Sequence, residues 1–277
     1  MKRRYLALFA LISVVPLIVW LCRFGVLPVS TQANDWATFA TYISGTIGVL
    51  VTLFGFMMIY LTYSKQVGDS YIASFESTLF RMIDYQRSIL QNVSSAGKAQ
   101  TGLPSLIYWA TSFSQHFLSK VKDLPLSTEY HRVVAERLRT EYASSYQSNL
   151  YTMGNYFRHL YHVFKHIEEA DLDLERKLKY AKLMRAQLSA EELFFIGVNG
   201  ITVYGDKFRP LIEKYSLLHR LMNFDFYRAL FVTCYSRGAF GDEDLGKTLP
   251  MGNNSQEKWY SLLKRDHDGK VVSPGSA

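Results

Sequence analysis

The chain has 277 residues, of which 48% are hydrophobic and 20% charged, and its formal net charge is +7. This length and composition suffice for one globular core and a membrane segment. Two distant cysteines, Cys22 and Cys234, exclude a disulfide scaffold, and no CxxC metal knuckle is present. The positive charge is mild and scattered, which does not identify a nucleic-acid binder and is compatible with a site beside an anionic membrane.

Two apolar runs without charged residues open the chain, at residues 5–22 and about 36–63. As a helix the first would rise roughly 27 Å, at about 1.5 Å per residue, close to the hydrocarbon thickness of a bilayer. The second is longer than a bilayer requires, so we expect it to tilt or to emerge on one side. Because a second span follows so soon, two spans are favoured over a cleaved signal peptide.

Positive charges flank these spans unevenly. Three basic residues precede the first span and Lys65 follows the second, whereas the loop of residues 23–35 carries only Arg23 against Asp35. The positive-inside rule therefore places the N-terminus and everything after Lys65 in the cytoplasm, and the loop outside.

Small and weakly polar residues recur in the second span at steps of three and four: Ala37, Thr41, Gly45, Gly48, Thr52 and Gly55. On an α-helix these steps keep one face, and small residues let helix backbones approach closely in lipid. The pattern predicts packing against the first span, self-association into an oligomer, or both. The last five residues, from Thr41 to Gly55, are called the candidate assembly face below.

Beyond Lys65 the pattern predicts helices almost throughout and no strand. A 3.6-residue apolar period covers residues 75–90 and a loop follows at 92–102. The next predicted features are a helix from Pro104 to about residue 122, a long helical region capped by Ser127 or Thr128 that reaches Ile167 with a break at Gly154, and a charged helix over residues 174–188.

Local helix signals are clearest after residue 188. Ser189 and Glu192 form an S-x-x-E capping box, and Asn199-Gly200 supply the left-handed residue expected at the end of that helix. Pro210 opens a helix predicted over residues 210–222. Beyond residue 241 the chain is polar and Gly-rich, with a short helix predicted near residues 259–263.

The predicted fold is therefore all-α, with a two-helix transmembrane hairpin followed by a cytosolic helical bundle. The hairpin occupies residues 1–64, the cytosolic domain residues 65–240, and a polar, mobile tail residues 241–277.

Three histidines lie in YFRHLYHVFKHIEE, residues 156–169. His162 and His166 are spaced i, i+4, yet no H-E-x-x-H pattern supplies a third ligand or base, and neighbouring basic side chains disfavour a metal cation. The spacing of Arg158 from either histidine does not fit a helical RNase, in which four to six residues separate an Arg and a His. The favoured interpretation is a partner-binding basic flank on a packed helix, formed by Arg158, His162, Lys165 and His166.

Sequence motifs of common enzyme classes are absent. The chain contains no P-loop, no dinucleotide-binding glycine motif and no nucleophile elbow. We therefore assign no catalytic, cofactor-binding or metal-binding residue, and expect no cofactor and no small-molecule substrate.

Four segments follow the two spans in a characteristic order: FESTLFRMID, GNYFRHLYHVFKHI, KLKYAKLMRAQLSAEELFFIGVNG and KFRPLIEKYSLLHRL. This order resembles the phage abortive infection proteins of the AbiC-like family over most of residues 36–222. Related two-span proteins are similar to membrane effectors of some retron operons, in which a reverse transcriptase with its RNA–DNA hybrid restrains the toxic partner. The resemblance implies an antiphage function at the bacterial inner membrane, with such a complex as a partner.

These observations together predict a toxic membrane effector that self-associates on infection and disrupts the inner membrane. Two helices from one chain cannot enclose a wide pore, so this mechanism requires a homo-oligomer in the bilayer. Two alternatives stay open: a membrane-tethered RNase that uses Arg158, His162 or His166, and a non-toxic sensor or scaffold that recruits another toxin.

Overall fold

A computed structural model describes residues 14–25, 28–94, 101–125, 129–148, 150–221, 224–241, 257–259 and 261–263. Within these ranges the chain is helical and forms no extended strand; one isolated antiparallel bridge joins Ser94 to Thr101. The predicted all-α class is confirmed. The chain divides into two compact units, residues 1–76 and residues 77–277.

Two antiparallel helices form the start of the first unit: α1 (Val14–Phe24) and α2 (Ala33–Ile43). The Tyr42 hydroxyl donates a hydrogen bond to the Pro16 carbonyl at 3.2 Å, and the rings of Trp20 and Phe39 lie 4.6 Å apart. Residue numbers fall along α2 as they rise along α1, which is the pairing order of a helical hairpin. Residues 5–13 of the predicted first span lie outside the described residues.

The predicted second span lies inside one continuous helix of 59 residues, Ala33–Gln91. In this helix α2 passes into a π turn, Ser44–Gly48, and then into α3, Val49–Gln91. The hydroxyls of Ser44 and Thr46 donate to carbonyls four residues earlier, at 2.6 and 2.7 Å, so these donors are satisfied without water. Among the described helices this one is long and apolar enough to cross a membrane.

After α3 the second unit contains the helices α4 (Leu103–Val121), α5 (Tyr130–Ser148), α6 (Leu150–Glu169), α7 (Leu174–Arg185), α8 (Ala190–Gly200), α9 (Arg209–Lys214) and α10 (Asp225–Cys234). A 3-10 turn follows at Arg237–Phe240, and residues 257–259 and 261–263, near the short helix predicted at 259–263, are helical. Pro104 and Pro210 lie in the first turns of α4 and α9, as predicted, where proline removes no helical hydrogen bond. The predicted caps Ser127 and Thr128 lie outside the described residues. α10 was not predicted from the sequence.

Glycines caused two wrong predictions about helix boundaries. Gly154 is buried inside α6, so the break predicted there does not occur. α8 ends at Gly200 without a left-handed residue, because the next residue, Ile201, has φ −91°. A Cβ at Gly200 would lie 2.4 Å from the Tyr235 hydroxyl, so a close helix approach requires this glycine.

The helix predicted over residues 210–222 ends at Lys214 instead. Ser216 has φ 52°, a left-handed conformation that stops an α-helix. Nη1 of Arg185 donates to the carbonyls of Ser216 at 2.8 Å and Tyr215 at 3.4 Å. A long-range hydrogen bond thus satisfies carbonyl groups of this turn. The charged helix α7 likewise ends at Arg185 and does not reach residue 188.

α8 lies at the centre of the core of the second unit, since every residue from Glu192 to Gly200 is buried. The Phe195 ring stacks on Trp109 at 4.0 Å, and the Phe194 ring stacks on Phe224 at 4.4 Å. In the predicted tail, Trp259 is buried, with its ring 5.6 Å from Tyr130 and 5.4 Å from Phe226.

Candidate functional site

A buried chain of hydrogen bonds connects α3, α6 and α8, and is called the polar chain below. Gln86, only 3% exposed, places Oε1 2.7 Å from Nδ1 of His159 and donates from Nε2 to the Tyr156 carbonyl at 3.4 Å. The Tyr156 hydroxyl donates to Oε1 of Glu192. The second Glu192 oxygen accepts from the backbone N–H of Ser189 at 2.7 Å, and the Ser189 hydroxyl accepts from the Glu192 N–H. The predicted capping box is therefore confirmed, and it continues into the core.

Burial dominates the electrostatics of the polar chain. It raises the pKa of Glu192, against hydrogen bonds from Ser189 and Tyr156 that lower it. Burial and the nearby Glu192 charge raise the pKa of Tyr156. Burial, with a smaller contribution from His162, lowers the pKa of His159, which favours the neutral imidazole. The polar chain can hold three helices in a fixed register, since polar groups in a core are satisfied only by specific partners.

The basic flank predicted on α6 is divided by the fold. Arg158 and His162 are exposed, Lys165 pairs with Glu169 at 3.4 Å, and His166 is half-buried. His159 leaves the flank and joins the polar chain. Within the described ranges no three His, Cys, Asp or Glu residues are placed to hold a metal ion. Partner binding by the flank stays a prediction, with Arg158 and His162 as its accessible part.

Sequence reasoning did not find Gln86. The signal was present, because Gln86 continues the buried face of Leu79 and Ile83 at steps of four and three. A polar side chain on the apolar face of a helix requires a buried partner. The sequence could not show that the partners lie about 70 residues away, on α6.

The π turn changes the geometry of the candidate assembly face. A π turn holds about one residue more than an α turn, which rotates the preceding helix by about 100° relative to the following helix. Gly48, the last residue of the turn, keeps a common face with Thr52 and Gly55, while Thr41 is rotated away from this face and Gly45 lies inside the turn. The Thr52 hydroxyl donates to the Gly48 carbonyl at 2.9 Å, so this face presents no free donor.

The glycines of this face have free space beside them. A Cβ built at Gly45, Gly48 or Gly55 meets no atom within 4 Å. A larger side chain at these positions is therefore compatible with the fold of one protomer. The role of the face in assembly stays a prediction.

Residues 148–226 match the family described as "Putative phage abortive infection protein". The resemblance is confirmed over these residues. The matched segment runs from α6 to the start of α10 and contains Tyr156, His159, Ser189 and Glu192 of the polar chain, together with the basic flank. No curated protein and no solved structure matches the chain.

Proposed function

We propose that the chain is a membrane-anchored toxic effector of abortive infection, which self-associates when triggered and disrupts the bacterial inner membrane. The family match supports the role in phage defence. The observation that carries the membrane mechanism is the exposure of the long N-terminal helix. Among the 18 consecutive residues that make up the apolar stretch of this helix, none is buried in the protein.

The exposed surface of this helix is better suited to lipid than to water. Leu53, Phe56 and Ile59 expose 61, 67 and 66% of their surface. Single exposed apolar residues are common in soluble proteins, whereas a continuous apolar patch of this kind marks a membrane or protein interface. A core helix of a soluble protein would have these side chains buried.

The proposed topology has two spans with the second unit in the cytoplasm. The contacts of Trp20 with Phe39 and of Pro16 with Tyr42 support a hairpin of two apolar helices. The uneven distribution of basic residues supports the orientation. Gly48, Thr52 and Gly55 are proposed to contact a second copy, because close backbone approach drives helix association in lipid.

Restraint before infection is assigned to a reverse transcriptase with its RNA–DNA hybrid. Arg158 and His162 are exposed in the segment that matches the family, and arginine side chains bind the phosphate groups of nucleic acid. Arg158→Gln is expected to increase toxicity in the presence of that partner. Arg176→Gln, an exposed arginine on α7, provides a matched control.

Membrane potential, measured with a voltage-sensitive dye after triggering, tests the proposed mechanism. We expect the potential to collapse before growth stops, while bulk RNA and tRNA stay intact. Dying cells with a normal potential would contradict the proposal, and degraded RNA would favour the tethered RNase. Expression of the chain alone should be toxic, whereas harmless expression at the membrane would favour the sensor or scaffold.

A further inference from the structure

An open cleft of about 220 Å³ lies between α5, the start of α9 and the end of α10. It is lined by His131, Arg132, Ala135, Arg139, Arg209, Thr233 and Cys234. Three arginines and a histidine thus line a cleft whose lining contains no aspartate or glutamate. This concentration of positive charge belongs neither to the membrane helices nor to the basic flank on α6.

Two of the guanidinium groups are held in place by backbone acceptors. Nε of Arg139 donates to the Ile201 carbonyl at 2.8 Å, and Nη2 of Arg209 donates to the Cys234 carbonyl at 2.5 Å. The Arg209 guanidinium also lies 5.4 Å from the centre of the Tyr235 ring. Arg139 also pairs with Glu136, and Nε of Arg209 lies 3.4 Å from Oε1 of Glu213. These contacts fix the direction of each guanidinium group and leave one terminal nitrogen of each without a partner among the described residues.

Carboxylates near the cleft do not neutralise it from inside. Arg132 pairs with Glu129 at 2.7 Å, Arg139 pairs with Glu136, and Arg209 pairs with Glu213 at 3.4 Å. All three carboxylates lie outside the lining; Glu129 and Glu136 are 62 and 66% exposed, where solvent screens an ion pair, and Glu213 is 26% exposed.

The Cys234 side chain in the lining does not neutralise the positive charge of the cleft either. Burial raises the pKa of the Cys234 thiol, against smaller effects that include the charges of Arg139 and Arg209. A neutral thiol supplies no counter-charge, so the anions that face the two fixed guanidinium groups are Glu136 and Glu213, which pair with them from outside the lining.

We propose that this cleft binds a phosphate group, as part of a small phosphorylated ligand or as a lipid headgroup. Guanidinium groups donate charge-assisted hydrogen bonds to phosphate oxygens, and Arg139 and Arg209 each keep a terminal nitrogen for such a bond. The cleft is smaller than the roughly 300–1,000 Å³ of pockets that enclose a drug-sized molecule. The phosphate group lies inside, and the rest of a larger ligand extends into solvent.

Calorimetric titration of the full-length chain in detergent tests this site, with inorganic phosphate and ADP as soluble probes. We expect binding of both probes that weakens as NaCl rises. Arg139→Gln and Arg209→Gln should each weaken binding about tenfold or more, because each removes a charged hydrogen-bond donor. Arg137→Gln is the matched control, since Arg137 lies on the same helix, outside the cleft, and pairs with Glu141.

A conservative variant separates charge from geometry. Arg209→Lys keeps the charge and loses the fork, so its affinity should fall between the wild type and Arg209→Gln. If either glutamine variant fails to fold, Arg132→Gln decides the question, because Arg132 is exposed and its removal from the lining should still weaken binding. The proposal would be overturned if the wild type bound neither inorganic phosphate nor ADP. Equal affinities of the lining variants and of Arg137→Gln would also overturn it.

Vesicles of phosphatidylcholine with and without phosphatidic acid distinguish the lipid source. If the ligand is a lipid headgroup, vesicles that contain phosphatidic acid should compete with ADP for binding to the wild type. The same vesicles should not compete for binding to Arg139→Gln. If the ligand is soluble, ADP binds equally well in the presence of both vesicle types. Either result supports a phosphate site, and competition that is unchanged in Arg139→Gln argues against this cleft.

Discussion

The hydroxyl of Tyr156 donates a hydrogen bond to the carboxylate of Glu192, and both side chains are buried. This contact joins α6 to α8 within the segment that matches the abortive infection family. It also makes a local helix cap depend on a residue 36 positions earlier. Its removal should therefore affect the stability of the whole second unit.

Tyr156→Phe removes the donor and leaves a buried carboxylate oxygen without this partner. We expect a loss of about 1–3 kcal/mol, the usual cost of an unsatisfied buried polar group. For a domain of this size each kcal/mol lowers the melting temperature by about 2–4 °C. Thermal unfolding of the full-length chain in detergent measures the effect. Tyr161→Phe on the same helix should change the melting temperature little, and equal losses in both variants would contradict the assigned contact.

Glu192 should make stability depend on pH. Because burial raises its pKa, the folded chain holds a proton at this carboxyl more tightly than the unfolded chain. The contribution to the free energy of unfolding therefore falls as pH rises from the ordinary Glu pKa of about 4.3 through the raised folded value. Glu192→Gln should remove this decline and still form a capping box. A Glu191→Gln control that removes the decline equally would contradict the assignment to Glu192.

Gly197 allows α8 to pack closely against α10. A Cβ at this position would lie 2.4 Å from Cε2 of Phe231, a buried ring that cannot move aside. Gly197→Ala should destabilise the protein by about 1–3 kcal/mol through overpacking. Gly68→Ala is the matched control, because its Cβ meets nothing within 4 Å and alanine favours a helix by about 0.5–1 kcal/mol. The two variants should shift the melting temperature in opposite directions. An unchanged melting temperature for Gly197→Ala would contradict the close contact of α8 with Phe231.

Gly48→Leu tests the candidate assembly face. Space for a side chain exists within one protomer, and Leu favours the bilayer, so membrane insertion should be normal. Both toxicity and crosslinked oligomers should fall, because Leu separates the backbones of associating helices. Met57→Leu, off this face, should have little effect. If Gly48→Leu leaves toxicity and oligomer size unchanged, the candidate assembly face does not mediate assembly, and the helices of the second unit must do so.

Reporter fusions test the proposed orientation. A reporter fused after Ala277 should behave as cytoplasmic, and a tag inserted beside Gln32, which is exposed in the loop before α2, should be accessible from outside. The opposite pattern would overturn the orientation derived from the positive-inside rule.

Features that depend on nearby residues were predictable from the sequence. The Ser189–Glu192 capping box and the prolines in the first turns of α4 and α9 are present, and Phe75, Leu79 and Ile83 of the predicted apolar period are buried. Each depends on interactions within about one turn of helix, where the identity of a few side chains decides the backbone conformation.

Glycine positions were less predictable, because glycine serves several purposes. Gly154 was expected to interrupt a helix and lies inside α6, and Gly200, although it ends α8, lacks the left-handed conformation that was expected there. At Gly200 the decisive neighbours are Ile212 and Tyr235, far along the chain. The packing of α8 places Ile212 and Tyr235 beside Gly200, and the local sequence at residues 199–200 does not indicate this contact.

By itself, the sequence determined the helical class, the two apolar runs, the local caps and the resemblance to the abortive infection family, because periodicity and short-range hydrogen bonds are properties of neighbouring residues. The folded chain alone shows that His159 meets Gln86, that a π turn divides the candidate assembly face, and that Arg139 and Arg209 line one cleft. These relationships join residues tens of positions apart or depend on one extra residue in a helical turn. Packing of the helices around α8 sets the distances, and no short stretch of sequence contains them.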